Sequence, residues 1–246
     1  GRIADFVLGQ ADRSGRLRWP DELYGRDEEI ALLQRALRNA GRGVGYAVLL
    51  AGLAGTGKTA LCEKLRDLAP AHGACVIRGC CDGPQRHVPY AALSSALDDW
   101  IEQALTGSTG QLAHWRELLN STLDAHLDTV VDMLPRLALI VGTRPAAGSG
   151  TSGDAPYALA DVLQQLLRRL ASRERPLVLF LDNLQWADPA SFDVLDRLLP
   201  DIDTLPMVFV GAYRDDEIGS RHPLTRLLDT LRTVPTCTRT LRLEAL

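Results

Sequence analysis

The sequence predicts an α/β fold, a mostly parallel sheet of about five strands with helices on both faces. Two observations carry that expectation. Short apolar runs recur along the chain: "YAVLLAG" (46–52), "ACVI" (74–77), "LVLFL" (177–181), "MVFVGA" (207–212) and "TRTLRL" (238–243). The first four are nearly continuous rather than alternating, as in strands buried on both faces of a parallel sheet. Helical periodicity separates them, so right-handed crossovers rather than hairpins join the strands. A chain of 246 residues is long enough to cover both faces of such a sheet.

Taken in order, residues 1–22 are polar and interrupted by Gly15 and Pro20, so they read as a linker or arm from a preceding domain. The folded domain is expected over 23–246. From Asp27 the pattern is helical: Ile30, Leu33, Leu37 and Ala40 share a face, and Gly41 ends the run. The strand at 46–52 leads into a glycine-rich turn, and a helix follows with Leu61, Leu65 and Leu68 on one side. The crossover after the second strand is oversized. Residues 89–141 read as a helical insertion of several helices, with Leu112, Trp115, Leu119 and Leu123 at core spacing. A flexible surface loop is expected over 142–155, rich in Gly, Ser and Ala, and a helix over 156–172. Asp188-Pro189 is a good helix start, Asp as N-cap and Pro in the first turn.

Composition removes several functional classes. The net charge of −4 advertises no basic face, so nucleic acid is not expected as a partner of this segment. No apolar run approaches the roughly 20 residues of a membrane span. The five cysteines are odd in number and lack CxxC spacing, which reads as reduced thiols in a cytoplasmic protein. A strand-end location accounts for Cys80 and Cys81. The five histidines are scattered, and no metal site made by side chains alone is expected. The chain begins with Gly1 rather than Met and ends inside "TLRLEAL", as expected of a segment of a longer polypeptide.

One stretch carries specific chemistry. "GLAGTGKT" (52–59) fits G-x-x-x-x-G-K-[ST] between a buried strand and a helix, the context that motif requires. Gly52, Gly55 and Gly57, with Thr56 between the last two, let the backbone curl so that its N–H groups point inward at phosphate oxygens. The helix starting near Lys58 adds its positive end. Lys58 is expected on the β- and γ-phosphates and the Thr59 hydroxyl in a Mg²⁺ shell. Only two of the 27 basic residues are lysines, Lys58 and Lys64. A compact ammonium fits a tight backbone nest where a planar guanidinium is too large.

Asp182 ends the "LVLFL" strand at the carboxyl edge, where it would hold Mg²⁺ through water. Next to it stands Asn183, where a second carboxylate would favour hydrolysis; an amide orients water but is a very poor base. Asp188 is the nearest spare carboxylate, and its place before Pro189 reads first as a cap. Arg214 follows the fourth strand, so it emerges at the same edge and either senses a γ-phosphate or pairs with Asp215, Asp216 or Glu217. Trp186 reads as packing beside the site.

Together these residues resemble the STAND group of signal-transduction P-loop ATPases, within the AAA+-like proteins. The match lies in "LYGRDEEIALL" (23–33), "GLAGTGKT" (52–59), "LVLFLDNLQWADPAS" (177–191) and "VGAYRDDEIGSRHPL" (210–224), in the family's order. "FVLGQADRSGRLRWPDELYGR" and "CDGPQRHVPYAALSSAL" are similar to the ATPase segment of large bacterial signalling proteins, which lies between a Ser/Thr-kinase-like domain and sensor and histidine-kinase domains. The resemblance implies a P-loop NTPase three-layer sandwich that binds ATP or ADP with Mg²⁺. Leu23 and Tyr24 would border the adenine, Arg26 would contact the nucleotide, and Arg214 would read the γ-phosphate. The family's Gly-Arg-Glu signature falls on Gly25-Arg26-Asp27, with Asp for Glu. Many members carry two acids at the strand end, so Asn183 implies slow turnover. The expected function is an ATP/Mg²⁺-binding regulatory switch, with neighbouring kinase-like and sensor domains in the same chain and nucleotide-dependent self-association. Two alternatives stand beside it: an efficient ATPase or P-loop kinase, and an ADP-bound scaffold for protein contacts.

Overall fold

The computed structural model describes residues 25–142, 155–219 and 221–244. The expected linker at 1–22, the positions Leu23 and Tyr24, and loop residues 143–154 lie outside the described residues.

Five strands form one sheet: β1 (Tyr46–Ala51), β2 (Cys75–Cys80), β3 (Leu177–Asp182), β4 (Met207–Tyr213) and β5 (Thr238–Arg242). Their order is β2-β3-β4-β1-β5, and every pairing is parallel. β2 runs three residues beyond the apolar stretch that announces it. Its last residues, Arg78, Gly79 and Cys80, pair with Phe180, Leu181 and Asp182 of β3.

Strand alternation sorts the side chains into two cores. Val48, Leu50, Val178, Phe180, Val208 and Val210 face one side and pack under α1 (Asp27–Gly41) and α2 (Lys58–Leu68). Ala47, Leu49, Leu177, Leu179, Leu181 and Phe209 face the other. There they meet the insertion helices α3 (Ala91–Leu105), α4 (Thr109–Leu123), α5 (Leu127–Met133) and α6 (Ala138–Val141), followed by α7 (Ala155–Leu170), α8 (Pro189–Leu198) and α9 (Pro223–Arg232). The result is the three-layer α/β sandwich expected from the near-continuous apolar strands.

The insertion is a packed part of the second layer. Trp115, Leu119 and Leu123 are buried and Leu112 is half-buried against the same core. Trp115 meets Trp100 of α3 edge to face, ring centres 5.3 Å apart. α4 begins with a capping box, Ser108 and Gln111 each accepting the other's backbone N–H. α3 lies directly on β2 because Gly79 has no side chain: a Cβ there would stand 2.2 Å from the Ala92 carbonyl oxygen.

Register brings the chemistry to one edge. Ala51 pairs with Tyr213 and Leu181 with Gly211. The loop after β1, Asp182 at the end of β3, and Arg214 after β4 therefore leave the sheet side by side at its carboxyl edge. Among the described residues, no helix is long and apolar enough to cross a membrane.

Candidate functional site

The loop between β1 and α2 depends on its glycines. Gly55 and Gly57 have φ of +80° and +89°, a region open to glycine at no steric cost. Gly57 stands immediately before α2, whose first turn leaves its N–H groups without helical partners. A cavity of about 270 Å³ opens there, lined by Gly55, Gly57, Lys58, Thr59, Asp182, Asn183 and Arg214. Six of the residues named from the motifs thus meet across three separate loops, together with Asn183.

Lys58 is buried, and its ammonium donates to the Gly52 and Leu53 carbonyls, each at 2.7 Å. Burial first, then the nearby Arg214 guanidinium, lowers its pKa below the ordinary value. An anion in the cavity would relieve both effects by supplying oxygens and opposite charge. Thr59 Oγ1 donates to Asp182 Oδ2 at 3.1 Å. This hydroxyl and this carboxylate are two oxygen donors for a hard cation such as Mg²⁺, which takes the rest of its octahedral shell from water and phosphate. The residues present therefore fit a nucleoside phosphate with Mg²⁺.

Asn183 has a left-handed backbone (φ 55°, ψ 45°). Its N–H donates to Asp182 Oδ1 at 3.0 Å, and its amide group lies 3.8 Å from the Cys80 sulfur. Asp182 is the only carboxylate lining the cavity among the described residues. Asp188 does not reach it. Its Oδ1 accepts the N–H groups of Tyr90 (2.8 Å) and Ser191 (2.9 Å), and its Oδ2 accepts the Ser191 hydroxyl (2.6 Å). At 2% exposure it is a buried cap of α8, as the following proline suggests.

Arg214 lines the cavity and pairs with Glu217 at 2.7 Å, one of the acidic partners expected for it, its guanidinium 5.2 Å above the Trp186 ring. Asp215 is engaged elsewhere, by Arg242 of β5. Arg26 is buried under the loop instead of in the cavity, and donates to the carbonyls of Thr56 and Glu244. Gly52 and Thr56 shape the loop without lining the cavity; Thr56 Oγ1 turns back to the Leu53 carbonyl.

Comparison with known proteins decides the family. A family model described as AAA ATPase domain matches residues 22–210. The chain belongs to the AAA ATPase domain family. This AAA ATPase domain is 29% identical over 200 residues to hybrid signal transduction histidine kinase G of Dictyostelium discoideum, a match spanning 80% of the chain and 6% of the relative's length. Among solved structures, Cdc6p from Pyrobaculum aerophilum superposes with a TM-score of 0.49 at 18% identity, covering 92% of this chain and 47% of that one. The Aeropyrum pernix ORC1 protein, solved in complex with DNA, gives 0.46 at 22% identity, covering 92% and 46%.

Two residues of this AAA ATPase domain escape a reading of its sequence. Gln185 accepts the Arg214 N–H through its side chain, and its main-chain carbonyl lies 2.9 Å from His222 Nε2. It thus ties the exit of β4 to the cap of α9. Arg78 reaches Asp182 from β2. A charged residue directly after "ACVI" was the available signal for Arg78, but it falls where the apolar run stops.

Proposed function

We propose that this AAA ATPase domain is an ATP/Mg²⁺-binding regulatory switch of a signal-transduction protein, with slow hydrolysis. One observation carries the reading: the cavity offers Lys58, Thr59, Asp182 and Arg214 to a phosphate chain, yet beside Asp182 it presents the amide of Asn183. Binding groups are all there, and a second acid is not among the described residues of the lining. Loop amides and Lys58 bind the phosphates, Thr59 and Asp182 hold the cation, and Arg214 reads the terminal phosphate. When bound, Mg²⁺ would neutralise charge on the phosphate chain. Asn183 orients water without accepting its proton, so ATP persists and one conformation or assembly state persists with it.

The finer parts of the reading have narrower support. The four motifs support the STAND-type assignment, under which Leu23 and Tyr24 border the adenine and Arg26 contacts the nucleotide. The Dictyostelium relative supports a signalling context. Any kinase activity then belongs to neighbouring domains of the same polypeptide, with kinase-like and sensor domains as partners and the cytoplasm as the compartment.

The test is a single turnover of bound, radiolabelled ATP with Mg²⁺. Wild type is expected to bind ATP and hydrolyse it slowly. Asn183→Asp should accelerate the step by roughly 100-fold, the low end of what a positioned base contributes. Lys58→Ala should lose binding. A fast wild type indifferent to Asn183→Asp would establish the efficient-ATPase reading instead. ADP that co-purifies and never exchanges would establish the scaffold.

A further inference from the structure

Arg78 bears on how the site uses its metal, an inference that rests on the nucleotide reading above. It lies in β2 opposite Phe180, with its guanidinium carbon 5.8 Å above that ring. One guanidinium nitrogen is 3.0 Å from Glu63 Oε1 on α2, and another donates to Asp182 Oδ2 at 3.3 Å. The backbone N–H of Arg78 is fixed by Asp99 Oδ2 at 2.9 Å.

Asp182 Oδ2 is also the oxygen that accepts the Thr59 hydroxyl, while Oδ1 accepts the Asn183 N–H. Three of the roughly four acceptor positions of this carboxylate are therefore engaged, one of them by a full positive charge. Asp182 is 5% exposed and Arg78 is about one-third exposed on its side chain, so the pair is only partly screened by water. Near the Lys58 ammonium stand Arg214, Asp182, Asp215 and Asp216, and Arg78 adds its charge on the far side of Asp182. Glu63 and Glu217 pair with Arg78 and Arg214 from α2 and from the turn after β4.

We infer that Arg78 is a positioning residue that sets the metal dependence of the site. By meeting the charge of Asp182, it weakens that carboxylate's hold on a divalent cation. An Arg that merely oriented Asp182 as an outer-shell partner would do the opposite, since removing such partners lowers metal affinity.

The sign of one shift separates the two roles. A fluorescent ATP analogue is titrated onto wild type, Arg78→Gln and Arg78→Lys in EDTA and at rising Mg²⁺, and the Mg²⁺ concentration giving half of the metal-dependent tightening is read. In Arg78→Gln that midpoint should fall by about tenfold, the scale on which outer-shell changes act. Binding in EDTA should weaken, because Asp182 then faces the phosphates unshielded. Arg78→Lys, which keeps the charge, should retain the wild-type midpoint. Should Arg78→Gln not fold, Glu63→Gln reads the same interaction from the solvent side. It removes the outer carboxylate, leaves the guanidinium to Asp182, and should raise the midpoint. A midpoint unchanged or raised in Arg78→Gln, or unchanged or lowered in Glu63→Gln, overturns the inference while leaving the nucleotide reading intact. A wild type that binds no analogue with or without Mg²⁺ overturns both.

Discussion

Asn183 sits in a backbone region that Asn and Asp both tolerate better than most residues. Asn183→Asp therefore adds a carboxylate without asking the chain to move, which makes it a clean probe of the hydrolytic step. Arg214 allows a complementary prediction. If it contacts only the terminal phosphate, Arg214→Ala should weaken ATP by about tenfold or more, the worth of a hydrogen bond to a charged group, and leave ADP almost unchanged. Competition binding of the two nucleotides checks this. Equal losses would mean that Arg214 holds the phosphates in general, or that its pair with Glu217 is structural. Both residues could be picked out from the sequence because each directly follows an apolar strand. The contact of Arg78 with Asp182 could not, since nothing local tells which of its neighbours on the adjoining strand a long cation will reach.

At the scale of elements, the cap of α8 joins two helices of the same layer. Asp188 accepts from the first turn of its own helix and from Tyr90 at the entrance to α3, so one carboxylate anchors the insertion beside the site. Asp188→Ala removes a cap and leaves buried donors without this acceptor. A loss of about 2–4 kcal/mol is expected in chemical denaturation. The single-turnover rate of bound ATP should change little, because Asp188 does not line the cavity. The cap was readable from Asp188-Pro189 alone. Its second bond, to a residue 98 positions earlier, was not. The insertion followed the same division: the spacing of Trp115, Leu119 and Leu123 named its buried side, while its tight seat on β2 depends on Gly79 meeting the Ala92 carbonyl.

The whole molecule carries a pH signature from its buried thiols. Burial pushes the Cys62 thiol from 9.0 up to about 12, and raises Cys75 and Cys81 as well. In the unfolded chain these thiols ionise near 9.0 while the folded protein keeps them protonated. The unfolded state then binds fewer protons, and stability falls as pH rises. Cys62 alone should cost about 1.4 kcal/mol per pH unit from pH 9.0 to about 12. Urea unfolding of wild type and Cys62→Ala over that range should give a shallower decline for the variant; equal slopes would rule out this account. On the same scale, the sequence by itself determined the parallel sandwich, its helical insertion and the glycine-rich loop before α2. Those depend on periodicity and on glycine and proline chemistry, which act over a few residues. Only the tertiary structure decided that the Asp188 cap also holds Tyr90, where Arg26 is clamped, and that Arg78 shares the oxygen of Asp182 with Thr59. These are meetings of side chains far apart in the chain, and strand order and register, rather than local pattern, set their distances.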